Sequence, residues 1–172
     1  QLQKFHDQNI VKEFMDAVEN KTIKEFYWCG GEPLMWQIHW TAMQRVVDLG
    51  YADSVYARYN SNMSRINFFK LNLFDDILSK FNGWQINASI DGTGEIGEYI
   101  RTGLKYNEWL QNIKYAKKFV KHPKQLQLDY TVTMPGLFEL ENMHKLQKQL
   151  EIPLLLKKVF TFSPDVFMSP LF

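Results

Sequence analysis

The sequence predicts an α/β fold, with parallel strands alternating with helices and the sheet curved like a barrel around a polar interior. Three observations carry this reading. Five strand-like runs alternate with helical ones, and such connections give parallel sheets with right-handed crossovers. The strands alternate apolar and polar residues, whereas parallel strands buried on both faces read as continuous apolar runs. Glycine-bearing corners follow strand-like runs, where α/β folds bind ligands.

The first helical run is Gln8–Glu19, followed by a strand over Ile23–Cys29. A helix over Pro33–Leu49 comes next. Pro33 suits its first turn, where the missing N–H would be unpaired anyway, and Gly50 stops it. The second strand covers Ser54–Asn60, and a helix over Phe74–Phe81 leads to the third strand, Trp84–Asp91. In the next helix, Asn107–Val120, the residues Leu110, Ile113, Ala116 and Val120 share one face at helical spacing, with Lys114, Lys117 and Lys118 off it. A strand over Gln125–Thr133, a helix over Phe138–Leu150 and a strand over Pro153–Phe160 complete the series. With no repeat, low-complexity tract or linker, residues 1–172 read as one domain.

Side chains along a strand alternate between faces. In the third strand Trp84, Ile86, Ala88 and Ile90 oppose Gln85, Asn87, Ser89 and Asp91. In the fourth, Leu126, Leu128, Tyr130 and Val132 oppose Gln127, Asp129, Thr131 and Thr133. In the second, Val55, Ala57 and Tyr59 oppose Tyr56, Arg58 and Asn60. One face packs on helices and the other is polar. Covered by helices in a doubly wound sheet, each unpaired polar group would cost ~1–3 kcal/mol. A curved sheet or partial barrel instead lets that face line a wet, ligand-holding lumen. The alternative is an antiparallel sheet with one solvated face.

The composition is that of a globular chain, 45% apolar and 23% charged, with a net charge of +1 that gives no nucleic-acid footprint. Lys114, Lys117, Lys118, Lys121 and Lys124 read as the wet face of a helix and its exit loop. No apolar run approaches the ~18 to 20 residues of a membrane span, and there is no signal peptide. One cysteine excludes an internal disulfide and fits a reducing, cytoplasmic setting. His6, His39, His122 and His144 lack metal-ligand spacing and read as helix-surface or loop residues. Cys29 reads as a packed thiol, since nothing basic lies beside it. The C-terminal Phe160, Phe162, Phe167, Leu171 and Phe172 would form an exposed apolar patch unless a further segment covered them.

The corner Cys29-Gly30-Gly31-Glu32-Pro33 lets a ligand approach bare backbone and puts a carboxylate beside it. A tight strand-to-helix turn would need glycine in any case. Further along come Tyr59-Asn60-Ser61-Asn62, Ser89-Ile90-Asp91-Gly92 and Tyr99-Ile100-Arg101-Thr102-Gly103. In this order and spacing the four segments resemble the radical S-adenosylmethionine (SAM) superfamily, most of all its twitch/SPASM-type members. The resemblance covers almost the whole chain. It implies a partial (β/α)6 TIM-like barrel of which strands two to six are present.

The resemblance also implies residue roles. Gly30, Gly31, Glu32 and Pro33 would hold the amino group of SAM's methionine moiety through backbone carbonyls and a carboxylate, suitable partners for an ammonium. Ser61 and Asn62 would lie near the ribose or support the site, with Met63 where the family's usual glycine stands. Ser89 would bond the methionine carboxylate or ribose hydroxyls. Arg101 is a partner for that carboxylate or a structural salt bridge, and Asp91 and Gly92 shape the turn.

In the family a [4Fe–4S] cluster, held by a C-x3-C-x2-C loop and reduced by a donor such as flavodoxin or ferredoxin, cleaves SAM. The resulting 5′-deoxyadenosyl radical abstracts hydrogen from substrate, here a peptide or small molecule of unknown identity. The sequence departs from that pattern because Cys29 is its single cysteine. Beginning at Gln1 and ending at Phe172, the chain reads as cut at both ends. The first strand and cluster loop are expected upstream, and the chain as given is expected to be inactive. The alternatives are a non-catalytic α/β binding module for a nucleotide or anion, and a degenerate pseudoenzyme.

Overall fold

The computed structural model describes Phe5 and residues 9–158. In chain order the elements are α1 (Val11–Glu19), β1 (Glu25–Trp28), α2 (Gln37–Asp48), β2 (Tyr56–Ser61), β3 (Asn67–Phe68) and β4 (Leu71–Asn72). There follow β5 (Gly83–Ile90), α3 (Gly94–Ile100), α4 (Tyr106–Lys117), β6 (Leu126–Val132), α5 (Leu140–Leu150) and β7 (Leu154–Lys158). Five strands form one sheet in the order β1-β2-β5-β6-β7, and β3 pairs with β4 in a separate antiparallel hairpin. The pairings β1–β2, β5–β6 and β6–β7 are all parallel, which sets aside the antiparallel alternative. All five predicted strands are present. Gln8, His6, the last two residues of the fifth predicted strand and the C-terminal apolar run lie outside the described residues.

The chain divides into two compact units, one of residues 1–59 and 66–85, the other of 60–65 and 86–172. In the first, Phe26 and Trp28 alternate inward from β1, their rings stacked 5.5 Å apart. His39, Trp40, Met43 and Val46 form the buried face of α2. Arg45 holds both oxygens of Glu19, at 2.6 and 2.8 Å, and so ties α2 to α1. Both groups are well exposed, so solvent screens the pair and its role is to orient the two helices more than to stabilise them.

In the second unit, Trp109, Ile113 and Ala116 are the buried stripe of α4. Leu110 and Val120 are only half-buried, so the apolar face is turned by one residue, with the large Trp109 taking the core position. Lys114, Lys118, Lys121 and Lys124 are exposed, and Lys117 pairs with Glu151 at 2.7 Å. Along β5, whose residues up to Gln85 belong to the first unit, Trp84, Ile86, Ala88 and Ile90 are buried while Gln85, Asn87 and Ser89 are half-buried, the predicted alternation.

Three local expectations fail. The helix over Pro33–Leu49 is broken. Glu32 Oε1 accepts from the Leu34 amide at 3.1 Å and caps a single 3-10 turn, Pro33–Met35. Trp36 is then extended, with φ −94° and ψ 120°, before α2 begins. The Trp40 indole donates to the Leu34 carbonyl at 2.9 Å, satisfying an acceptor that a continuous helix would have used. The helix over Phe74–Phe81 is instead a widened turn, Leu73–Ile77, followed by a tight one, Leu78–Lys80. Its apolar spacing still buries Leu73, Phe74, Ile77 and Leu78, and Asn72 Oδ1 caps it by accepting from the Phe74 and Asp75 amides. The β3–β4 hairpin and the short helix α3 are additions that the sequence reading lacks.

Candidate functional site

The glycine corner follows β1 in the first unit. Gly30 and Gly31 both have positive φ, +75° and +51°, and a Cβ at either would meet no atom of the described residues within 4 Å. Glycine is required here by backbone conformation, and the space beyond it is open. Trp28 and Trp36 flank the corner with ring centroids 6.3 Å apart. Pro33 is buried and Glu32 is half-buried, capping the turn that follows. Cys29 is exposed, which corrects the packed-thiol reading: the alternation that buries Phe26 and Trp28 puts Cys29 on the opposite, exposed side with Glu25 and Tyr27.

His39 is also corrected. It is fully buried in the first unit, with Nε2 3.0 Å from the Tyr59 hydroxyl and its ring edge-on to Trp28 at 4.8 Å. Burial pushes its pKa down to about 3, so the ring is neutral. Its Nδ1 has no hydrogen-bond partner among the described residues. Helical spacing does place His39 beside the core residues Met43 and Val46, a signal that metal-ligand spacing does not capture.

The end of β2 belongs to the second unit. Ser61 is buried and its Oγ accepts from the Met63 amide at 2.9 Å, while Asn62 Oδ1 accepts from the Ser64 amide at 2.9 Å. Both side chains thereby close the turn. Met63 has φ +52°, the left-handed conformation that favours glycine, at the position where the resembled pattern has glycine. Its side chain is fully buried, and its carbonyl accepts from Asn112 Nδ2 at 2.8 Å.

Ser89 lies half-buried on the polar face of β5, level with Asp129 of β6. Arg101 donates to Asp91 Oδ2 through Nε at 2.9 Å and through a terminal nitrogen at 2.6 Å. Of the two roles open to Arg101, the salt bridge is thus formed, and Asp91 shapes the turn by anchoring it. The next turn is held by Glu139, a residue the sequence reading misses. Glu139 accepts from the amide and hydroxyl of Thr93 and, at 2.8 Å, from Asn142. Burial pushes its carboxyl up, but the hydrogen bonds from Thr93 and Asn142 outweigh that and hold it below the usual range. Burial, helped by the Glu139 and Asp91 carboxylates, pushes the Tyr130 phenol up to about 12, so it remains a donor to the Gly136 carbonyl.

Among the described residues no group of three His, Cys, Asp or Glu could hold a metal ion, and no helix is long and apolar enough to cross a membrane. No family model matches the chain, and no curated protein matches it either.

Proposed function

We propose that this chain is the SAM-binding part of a radical SAM core, its strands the second to sixth of a partial (β/α)6 barrel. The observation that carries the reading is the corner after β1. Two successive left-handed glycines leave their surroundings open, and the Glu32 carboxylate stands next to them. An ammonium needs acceptors and an anion, and this corner can offer backbone carbonyls and the Glu32 carboxylate. Two further observations support the reading: left-handed Met63 stands where the resembled family has glycine, and the motifs with Ser61–Asn62 and Ser89 each fall at the C-terminal end of their own strand.

SAM, when bound, supplies a sulfonium whose S–C5′ bond can yield a 5′-deoxyadenosyl radical. The residues here do not fit the [4Fe–4S] cluster that drives such cleavage, because Cys29 is the single thiol in the sequence and a cluster needs several thiolates. The activity proposed for this chain is therefore binding. The same lone thiol favours a second reading, a non-catalytic module that holds a nucleotide or other small anion at the glycine corner.

Isothermal titration of the full chain with SAM, with ATP as competitor, separates the two. The first reading expects saturable SAM binding that Glu32→Ala weakens at least tenfold. An absence of SAM binding, or an affinity indifferent to Glu32→Ala, overturns it; preferential ATP binding supports the second reading.

A further inference from the structure

A buried carboxylate oxygen stands open on the polar sheet face of the second unit. Asp129 on β6 is only 6% exposed. Its Oδ2 accepts from Lys157 Nζ at 2.6 Å, while its buried Oδ1 has no hydrogen-bond partner among the described residues. The register sets Asp129 level with Ser89 of β5, on the face that also carries Asn87, and Asp91 follows directly after the strand. Those two residues repeat the pattern. Asp91 gives Oδ2 to Arg101, and Asn87 donates through Nδ2 to Asn60 Oδ1 at 2.9 Å. The remaining oxygen of each, Oδ1, is buried and unpartnered among the described residues. Along β5, Asn87 stands one same-face step, ~6.6 Å, before Ser89, and Asp91 comes directly after the strand's last residue, Ile90.

Buried polar atoms are normally paired, and each exception asks for a missing partner. The three atoms left unpartnered here, among the described residues, are all acceptors, so the partner that would pair them is a donor. We infer that the polar face of β5 and β6 is a binding site for a primary ammonium group, anchored by Asp129 Oδ1. An ammonium carries three donors and no acceptor, whereas a hydroxyl would bring lone pairs needing donors of their own. The fold supplies its own precedent, since the Lys157 ammonium already occupies Oδ2 of the same carboxylate. The Lys157 side chain is 45% exposed, so it can swing toward water and make room. The ligand class is an aliphatic primary amine, free or on a lysine-like side chain. This goes beyond the proposed SAM reading, with which it shares Ser89, because its ammonium partner is Asp129 and not Glu32.

The test uses the full chain labelled with 13C at aspartate carboxyls. Butylammonium, tetramethylammonium (a cation without N–H donors) and 1-butanol are titrated at constant ionic strength, with Asp129→Asn identifying the Asp129 signal. Butylammonium should shift that signal saturably, at least tenfold more tightly than either control, and Asp129→Asn should abolish its binding. Equal responses to butylammonium and 1-butanol, no saturable shift, or unchanged affinity in Asp129→Asn would overturn the site. If Asp129→Asn fails to fold, the wild-type comparison of the three probes decides. The Glu32→Ala variant should bind butylammonium as the wild type does. A chain that binds butylammonium but not SAM overturns the SAM reading alone.

Discussion

At Gly30 and Gly31 the backbone turns left-handed into open space. At Gly92 and Gly97 two stretches of backbone touch, and a Cβ on Gly97 would lie 2.3 Å from the Gly92 carbonyl oxygen. Both corners follow a strand, yet glycine does different work in each. In the first it permits a conformation and leaves room for an outside group. In the second it permits contact, and the turn is fastened by Glu139 and by the Asp91–Arg101 pair. Glycine at a corner can thus serve a backbone conformation or a close backbone contact, and the surroundings of its Cβ position tell the two apart.

Acid should separate the two corners most strongly. Trp28, which flanks the first corner, packs on His39, whose folded pKa of about 3 lies below the ordinary 6.5. A histidine depressed in this way contributes stability in full above pH 6.5 and loses it as pH falls toward 3. The loss across that window is about 4 kcal/mol, read as a falling urea midpoint. His39→Gln, which cannot titrate, should flatten the slope, and an unchanged slope would break the link between His39 and the acid response. Glu139, held below the usual carboxylate range, keeps its contribution until pH drops below 4.5, so the second corner should outlast the first.

The next largest effect is steric. Gly97→Ala drives a methyl group into the Gly92 carbonyl and should destabilise the second unit by about 3 kcal/mol, measured as a lowered thermal midpoint. The smallest belongs to the open corner. Gly30→Ala meets no atom and pays only for a left-handed alanine, about 1 kcal/mol. Equal losses in the two variants would erase the contrast between the corners.

Periodicity made the five strands and the polar face of β5 legible, because alternation in a strand depends only on neighbours two residues apart. Gly30, Gly31 and Glu32 were legible as a corner for the same local reason. Glu139 was not, since it bonds Thr93 across 46 residues of sequence. The break at Trp36 was equally hidden: it depends on the Trp40 indole capturing the Leu34 carbonyl, a tertiary choice made against helical periodicity. His39 was misread because the same helix face serves surface and core until its neighbours, Trp28 and Tyr59, are placed.

Cys29 carries a practical consequence. It is the single cysteine of the sequence, it is exposed, and it stands one residue before the left-handed glycines. A thiol-selective fluorophore would therefore attach at one position, on the rim of the open corner. A change in its emission on titration with SAM or ATP would test whether either reaches that rim, without any substitution in the chain.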